Sequence, residues 1–115
     1  MQPKLSESEG ARLLREVFVE AGFPVQEGYP FEVAGRTVSL DSYDPVSRIG
    51  FEFVTAKAGD RGSFGEDVVA ALERTMAAGE AFILLVDEWD VTDASDLTIA
   101  AGRFLGELRS RGVLK

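Results

Sequence analysis

Ala81-Phe82-Ile83-Leu84-Leu85-Val86 is the longest apolar run in the chain, and an acidic residue bounds it on each side. A run of this length without polar alternation is typical of a strand that is buried on both faces, and such strands usually pair in parallel with a neighbour. Parallel pairing needs a crossover connection, and the segment before the run has helical spacing. The sequence therefore predicts a right-handed β-α-β unit that ends in this strand.

The residues upstream of this unit predict one helix followed by a three-stranded meander. Apolar residues recur at helical spacing over 8–21, and Gly22 then ends the helix. Short turn sequences separate the segments that follow, which are rich in strand-forming residues. We expect these strands over residues 31–33, 37–43 and 48–54.

Two more helices are predicted, one before and one after the apolar strand. Ser63 and Glu66 have the spacing of a capping box, and an apolar stripe over 64–76 follows. Asp93 is placed to cap a last helix that ends at Gly112. The predicted order is α-β-β-β-α-β-α, which corresponds to an α/β fold with a mixed sheet and helices on both of its faces.

Composition restricts the class of protein. The 115 residues suit a single domain over 1–115, and 45% hydrophobic with 28% charged residues is a globular composition. The chain has neither cysteine nor histidine, which excludes disulfides, the usual zinc sites and a Ser-His-Asp arrangement. The apolar runs are too short to span a bilayer, so we expect no membrane segment and a cytoplasmic protein.

Acidic residues dominate the charge of this chain. The net charge is −8, which counts against nucleic acid as a partner because phosphate affinity comes largely from Lys and Arg. Between Glu80 and Asp96 there are acidic residues and no basic one, so this region is a candidate surface for a protein partner, and Asp87-Glu88-Trp89-Asp90 within it is a candidate second cation site. Its other interpretation is a solvated loop and helix start. Trp89, within this region, either anchors an interface or covers the core, and we favour the second role.

The second hairpin places two acids near each other. If residues 44–47 form a four-residue loop, Asp41 lies opposite Gly50 and Glu52 is its diagonal neighbour on the same face. Diagonal neighbours have Cβ atoms about 7 Å apart, which allows two carboxylates to share a hard divalent cation. Gly50 is expected to leave open space beside them for an ion or ligand. Asp41 and Glu52 are therefore candidate metal ligands.

Each of these acids also has a purely structural interpretation. Asp41 can end its strand by capping the turn at 44–45. Glu52 can pair with Arg36 or Arg48 across the sheet. The residue types alone leave both interpretations open.

The element order, with Asp41 near the end of the second strand and Glu52 eleven residues later in the third, resembles the core of PD-(D/E)XK nucleases. The resemblance covers roughly residues 8–110 and implies a restriction endonuclease-like three-layer core. It also implies that the two acids bind Mg²⁺ and that a lysine two positions after the second acid helps to orient the attacking water. Val54 stands at that position, and Lys57 is the candidate substitute.

Three classes of function follow from these residues. The one we favour is a non-catalytic binding module that resembles a degenerate PD-(D/E)XK nuclease, because Val54 breaks the motif and the chain is small and acidic. The second is a Mg²⁺-dependent nuclease or phosphodiesterase with Asp41, Glu52 and Lys57 as catalytic residues. The third is an acidic, immunity-type protein that binds its partner through Glu80–Asp96. The oligomeric state is open between monomer and homodimer.

Overall fold

The computed structural model of the protein describes residues 7–55 and 64–112. Its order of elements confirms the predicted α-β-β-β-α-β-α sequence and the α/β class. Among the described residues, no helix has the length and apolar character needed to cross a membrane. The elements are α1 (Glu7–Glu20), β1 (Gln26–Val33), β2 (Arg36–Asp44), β3 (Ile49–Val54), α2 (Glu66–Ala77), β4 (Phe82–Asp87), a 3-10 turn (Glu88–Asp90) and α3 (Ala94–Ser110).

The four strands form one mixed sheet in the order β1-β2-β3-β4. The meander strands pair antiparallel, and β3 pairs in parallel with β4 from Ile49–Phe82 to Val54–Asp87. The apolar run at 81–86 is thus the parallel strand that the sequence predicts, and α2 is its crossover helix. Phe82, Ile83 and Val86 are buried and Leu84 and Leu85 half-buried, and among the described residues β4 is an outer strand of the sheet.

Helices cover both faces of the sheet, which gives three layers. Neighbouring residues of β3 point to opposite faces, so Phe53 and Val54 belong to different apolar clusters. Phe53 packs with α1 and α3, whereas Val54 packs with α2. Burying such side chains contributes roughly 1.5–3 kcal/mol each, which makes these two clusters the main source of stability. The helices contribute Leu14, Phe18, Leu97 and Leu105 to the first cluster and Val68 and Leu72 to the second.

The first hairpin has the tight turn that the sequence predicts. Ala34 and Gly35 connect the strands, with φ angles of 55° and 74°, as a two-residue turn of this kind requires. β1 is longer than the predicted 31–33, because pairing with β2 starts at Gln26. Pro30 lies within β1 and weakens its strand signal in the sequence.

The second hairpin has a register two residues away from the predicted one. The loop spans 45–48 rather than 44–47, and Tyr43 instead of Asp41 lies opposite Gly50. A shift of two residues keeps every side chain on its predicted face, whereas a shift of one would reverse them all. The predicted alternation of β3 therefore survives the error in register.

Asp44 and Arg48 cause this difference. Asp44 stays in β2 while its carboxylate accepts the Val46 N–H at 3.1 Å and the Ser47 hydroxyl at 2.7 Å. Arg48 closes the turn with φ 63°, and its N–H donates to the Asp44 carbonyl at 2.7 Å. Non-glycine residues rarely adopt this conformation, so the sequence does not mark Arg48 as a turn residue.

The helix starts show one wrong and one confirmed capping prediction. α2 begins at Glu66 with Gly65 as its N-cap and no side-chain cap, so the predicted box from Ser63 is wrong in its spacing. Ser63 itself lies outside the described residues. α3 begins as predicted, with Asp93 and Asp96 forming a reciprocal capping box.

The space beside Gly50 is filled rather than open. A Cβ atom built on Gly50 would lie 2.4 Å from the Ser42 carbonyl oxygen and 2.8 Å from Cδ1 of Tyr43. The Tyr43 ring in turn packs on the rings of Tyr29 and Phe31, with centroids 4.8 Å and 5.2 Å away. The expectation that Gly50 leaves room for an ion is therefore wrong, since Tyr43 occupies that room.

We expect Gly50→Ala to lower the free energy of unfolding by about 1–3 kcal/mol, because the added methyl group must displace backbone and an aromatic ring. Urea denaturation followed by circular dichroism measures this change. Gly102→Ala in α3 is the matched control, since its Cβ meets no atom within 4 Å and alanine favours a helix by about 0.5–1 kcal/mol. Equal stability of Gly50→Ala and wild type would contradict this packing.

Candidate functional site

Asp41 and Glu52 extend the pairing of β2 with β3 beyond its last backbone pair. That pair is Ser42 with Phe51, and the next position along the ladder brings the two acids together. The Asp41 N–H donates to Oε1 of Glu52 at 2.7 Å, and the Phe53 N–H donates to Oδ2 of Asp41 at 2.7 Å. Each carboxylate therefore accepts a hydrogen bond from the opposite strand, as a carbonyl group does in a regular ladder.

The two carboxylates differ in what surrounds them. Glu52 is only 1% exposed, within a strand that is buried along its whole length. Asp41 is partly buried and borders a cleft of about 370 Å³ between α1 and the first hairpin. Arg12 and Arg15 of α1 line the same cleft, and each already forms an ion pair with a glutamate.

In this arrangement the two carboxylates satisfy backbone donors. A buried N–H group without an acceptor costs about 1–3 kcal/mol, and the two carboxylates here satisfy two such donors. Within residues 7–55 and 64–112, no group of three or more acidic side chains that could hold a metal ion is found. Val54, at the position of the nuclease-family lysine, is buried against α2. Lys57, the candidate substitute, lies outside the described residues.

Other side chains take the structural roles that the sequence left open for the two acids. Asp44 caps the turn that follows β2, so the interpretation in which Asp41 caps it is wrong. Arg36, one candidate partner of Glu52, forms an ion pair with Asp67 of α2 at 2.9 Å. Asp41 and Glu52 instead each accept a hydrogen bond from a backbone N–H of the opposite strand.

Trp89, in the acidic region after β4, lies on the surface. Its side chain is 64% exposed, so the prediction that it covers the core is wrong. Asp87 accepts the Trp89 N–H at 2.8 Å and thereby caps the 3-10 turn Glu88–Asp90. This turn contains no buried residue, and Val91 directly after it is the one that packs in the core.

The acidic residues around Trp89 fall into two groups. Asp93 and Asp96 cap α3, as the helix-start interpretation predicts, and Asp87 caps the 3-10 turn, which was not predicted. Hydrogen bonds from the Ser95 side chain and backbone lower the pKa of Asp93, which keeps this cap ionised. Asp90 is exposed and lies outside these caps, so its charge faces solvent or a partner.

A cleft of about 370 Å³ lies at the carboxyl ends of β3 and β4, against the start of α2. In open α/β sheets, ligands bind outside the carboxyl ends of the strands. Trp89 stands in the chain between two acidic residues of this cleft, and we call the Trp89 ring together with the cleft the Trp89 surface. The cleft residues are Val54, Phe64, Gly65, Glu66, Val69, Leu85, Asp87 and Asp90.

The sequence indicated only some of the residues that form the Trp89 surface. The run Asp87-Glu88-Trp89-Asp90 stands out by its charge, but the contribution of Phe64 and Glu66 depends on the crossover. A parallel crossover helix begins on the side where its preceding strand ends. Applied to the predicted β-α-β unit, this rule places the start of α2 at the carboxyl end of β3.

Comparisons with known protein families, with characterised proteins and with solved structures gave no significant match. Both candidate sites are therefore interpreted from their own geometry. The carboxylate pair directs oxygen atoms to the backbone, whereas the Trp89 surface presents an aromatic ring and acidic groups to solvent.

We expect Asp41→Ala to lower the free energy of unfolding by about 1–3 kcal/mol, because the Phe53 N–H loses its acceptor. Asp41→Asn keeps an oxygen at the same place and should retain most of that stability. Urea denaturation of both variants, with and without Mg²⁺, measures the difference. If both variants are as stable as the wild type, the hydrogen bond from Phe53 to Asp41 contributes nothing to the fold.

Proposed function

We propose that this protein is a non-catalytic binding module that binds a basic segment of a partner protein through the Trp89 surface. The observation that carries this proposal is the 64% exposure of Trp89, which lies in the chain between Asp87 and Asp90 of an acidic cleft. Tryptophan is the residue type most enriched among the side chains that dominate binding energy at protein interfaces. An exposed indole is therefore a suitable anchor for a partner.

The charges around this anchor define the chemistry of the partner. A guanidinium or ammonium group stacked on the indole gains about 0.5–2 kcal/mol from the cation–π interaction. Glu66, Asp87 and Asp90 line the neighbouring cleft and complement the same cation. The net charge of −8 also attracts a basic protein at long range and repels a phosphate backbone.

Two features support the non-catalytic part of the proposal. One oxygen of each predicted metal ligand is occupied by a backbone N–H, and a buried valine stands at the position of the nuclease-family lysine. The element order and the strand pairing agree with the resemblance to PD-(D/E)XK nucleases. We therefore interpret the chain as a degenerate relative of that fold, in which the carboxylates serve the sheet.

A Mg²⁺-dependent phosphodiesterase is the second candidate, and one observation favours it. Asp41 and Glu52 are brought together, and Asp41 borders a cleft that two arginines of α1 also line. Such a cleft can receive a phosphate group. The two candidates make opposite predictions for cleavage of nucleic acid.

We expect Trp89→Ala to weaken binding of a poly-arginine peptide about tenfold or more, since truncating an aromatic anchor typically costs over 1 kcal/mol. Isothermal titration calorimetry measures the affinity, and Trp89→Phe should retain part of it. The control is Val46→Ala, which truncates an exposed apolar side chain in the loop at the opposite end of β3. Equal affinities of Trp89→Ala and wild type would exclude the Trp89 surface as the binding site of the peptide.

A pair of charge variants separates a local contact from the effect of net charge. Asp90→Asn removes one negative charge beside the cleft, and Glu73→Gln removes one from the exposed face of α2. We expect only Asp90→Asn to weaken peptide binding at high salt, where long-range attraction is screened. Equal losses in both variants would show that the peptide senses net charge alone.

We expect no cleavage of DNA or RNA by the purified protein in Mg²⁺. A positioned cation that stabilises the transition state is typically worth about 2–4 kcal/mol, so its loss lowers the rate roughly a hundredfold or more. A plasmid and oligonucleotide cleavage assay tests this expectation. Robust cleavage that disappears in both Asp41→Ala and Lys57→Ala would favour the phosphodiesterase and show that Lys57 replaces the missing lysine.

A further inference from the structure

A cleft of about 330 Å³ lies where β4 begins, between the C-terminal halves of α2 and α3, and we call it the α2–α3 cleft. Its inner wall is apolar and contains two aromatic rings, in the residues Met76, Phe82, Phe104 and Leu108. All four belong to the first apolar cluster or pack against it, so the core fixes their positions. Pre-formed clefts with mostly apolar walls and a volume of about 300 Å³ or more are typical of small-molecule sites.

The exposed rim of this cleft carries a net negative charge. Glu107 pairs with Arg111 at 2.6 Å, so the charges of these two side chains neutralise each other. Glu73 also lines the cleft, and among the described residues no Lys or Arg pairs with its carboxylate. One negative charge at the rim is therefore available to a ligand.

The ends of the two helices add to this negative potential. Ala77 is the last residue of α2 and Arg111 is the C-cap of α3, and both line the cleft. A helix C-terminus carries roughly half a negative charge, which favours a cation nearby. Arg74 and Arg109, in the last turns of the two helices, are not among the residues that line it. The cleft thus combines an apolar wall with a potential that favours cations.

We propose that the α2–α3 cleft binds a small alkylammonium ligand, meaning an apolar carbon chain that ends in an ammonium group. The chain contacts the rings of Phe82 and Phe104, and removal of its apolar surface from water supplies the affinity. The ammonium group stays at the rim, where Glu73 provides the opposite charge. A ligand of the same shape with a carboxylate group would be repelled by Glu73 and by both helix ends.

The α2–α3 cleft is separate from the Trp89 surface. Phe82 begins β4 and Asp87 ends it, so the two clefts lie at opposite ends of this strand. The proposal therefore does not rest on the peptide-binding role of Trp89.

NMR titration of the wild-type protein with hexylammonium chloride tests the proposal. We expect amide shifts that saturate and that centre on Phe82, Phe104 and Leu108. Hexanol lacks the charge and should bind about two- to fivefold more weakly, because a partly exposed ion pair is lost. Ethylammonium keeps the charge but has a shorter chain, and it should bind at least about tenfold more weakly. Hexanoate should give no saturable shift.

The same titration can overturn the proposal in two ways. The absence of a saturable shift with hexylammonium, or binding of hexanoate as tight as that of hexylammonium, would exclude an alkylammonium site. The lysine side chain carries the same ammonium group on a shorter carbon stem. Tighter binding of N-acetyl-lysine amide than of hexylammonium would show that the cleft receives a lysine of a peptide and not a small molecule.

Two pairs of variants locate the site. Ala77→Phe fills the cleft from an exposed position, whereas Ala78→Phe adds the same ring at the next residue, outside the cleft. We expect only Ala77→Phe to weaken hexylammonium binding, about tenfold or more. Glu73→Gln should weaken it about two- to fivefold, and Glu20→Gln, which removes an exposed charge from α1, should leave it unchanged. Full affinity of Ala77→Phe, or loss of binding in Trp89→Ala, would overturn the proposal. If Ala77→Phe fails to fold, Glu73→Gln and the wild-type shifts still decide.

Discussion

The paired hydrogen bonds of Asp41 and Glu52 hold the middle of the sheet together. β2 and β3 share only three backbone pairs, whereas β3 pairs with β4 along all six of its residues. Beyond the pair formed by Ser42 and Phe51, hydrogen bonds to the two carboxylates connect β2 with β3. Each carboxylate accepts an N–H group from the opposite strand. A buried donor must be satisfied, so these acids are constrained by the backbone around them.

This constraint changes what the acids can do chemically. The two carboxylates lie on adjacent strands, and one oxygen of each accepts a backbone N–H of the ladder. The carboxyl ends of β3 and β4 lie apart from this pair, and there Trp89 is exposed and a cleft borders the start of α2. We therefore propose that the centre of the sheet stabilises the fold and that one end of it binds a partner.

The order of elements was predictable because its signals are local: an apolar run, helical stripes and turn residues. The register of the second hairpin was not, since it depends on Asp44 capping its own turn and on the positive φ of Arg48. Exposure of Trp89 depends on the turn that Asp87 caps, which composition does not reveal. The proximity of the two acids followed from strand alternation, but their use as backbone acceptors is a contact between strands that sequence spacing alone does not show.

The most direct measurement of the role of the acids is amide hydrogen exchange at Asp41 and Phe53, the two residues whose N–H groups the carboxylates accept. We expect both amides to exchange only on global unfolding, as slowly as the most protected amides of the core, and their resonances to stay in place when Mg²⁺ is added. Rapid exchange of these amides, together with resonance shifts that saturate with Mg²⁺, would show that Asp41 and Glu52 serve a metal ion and not the sheet.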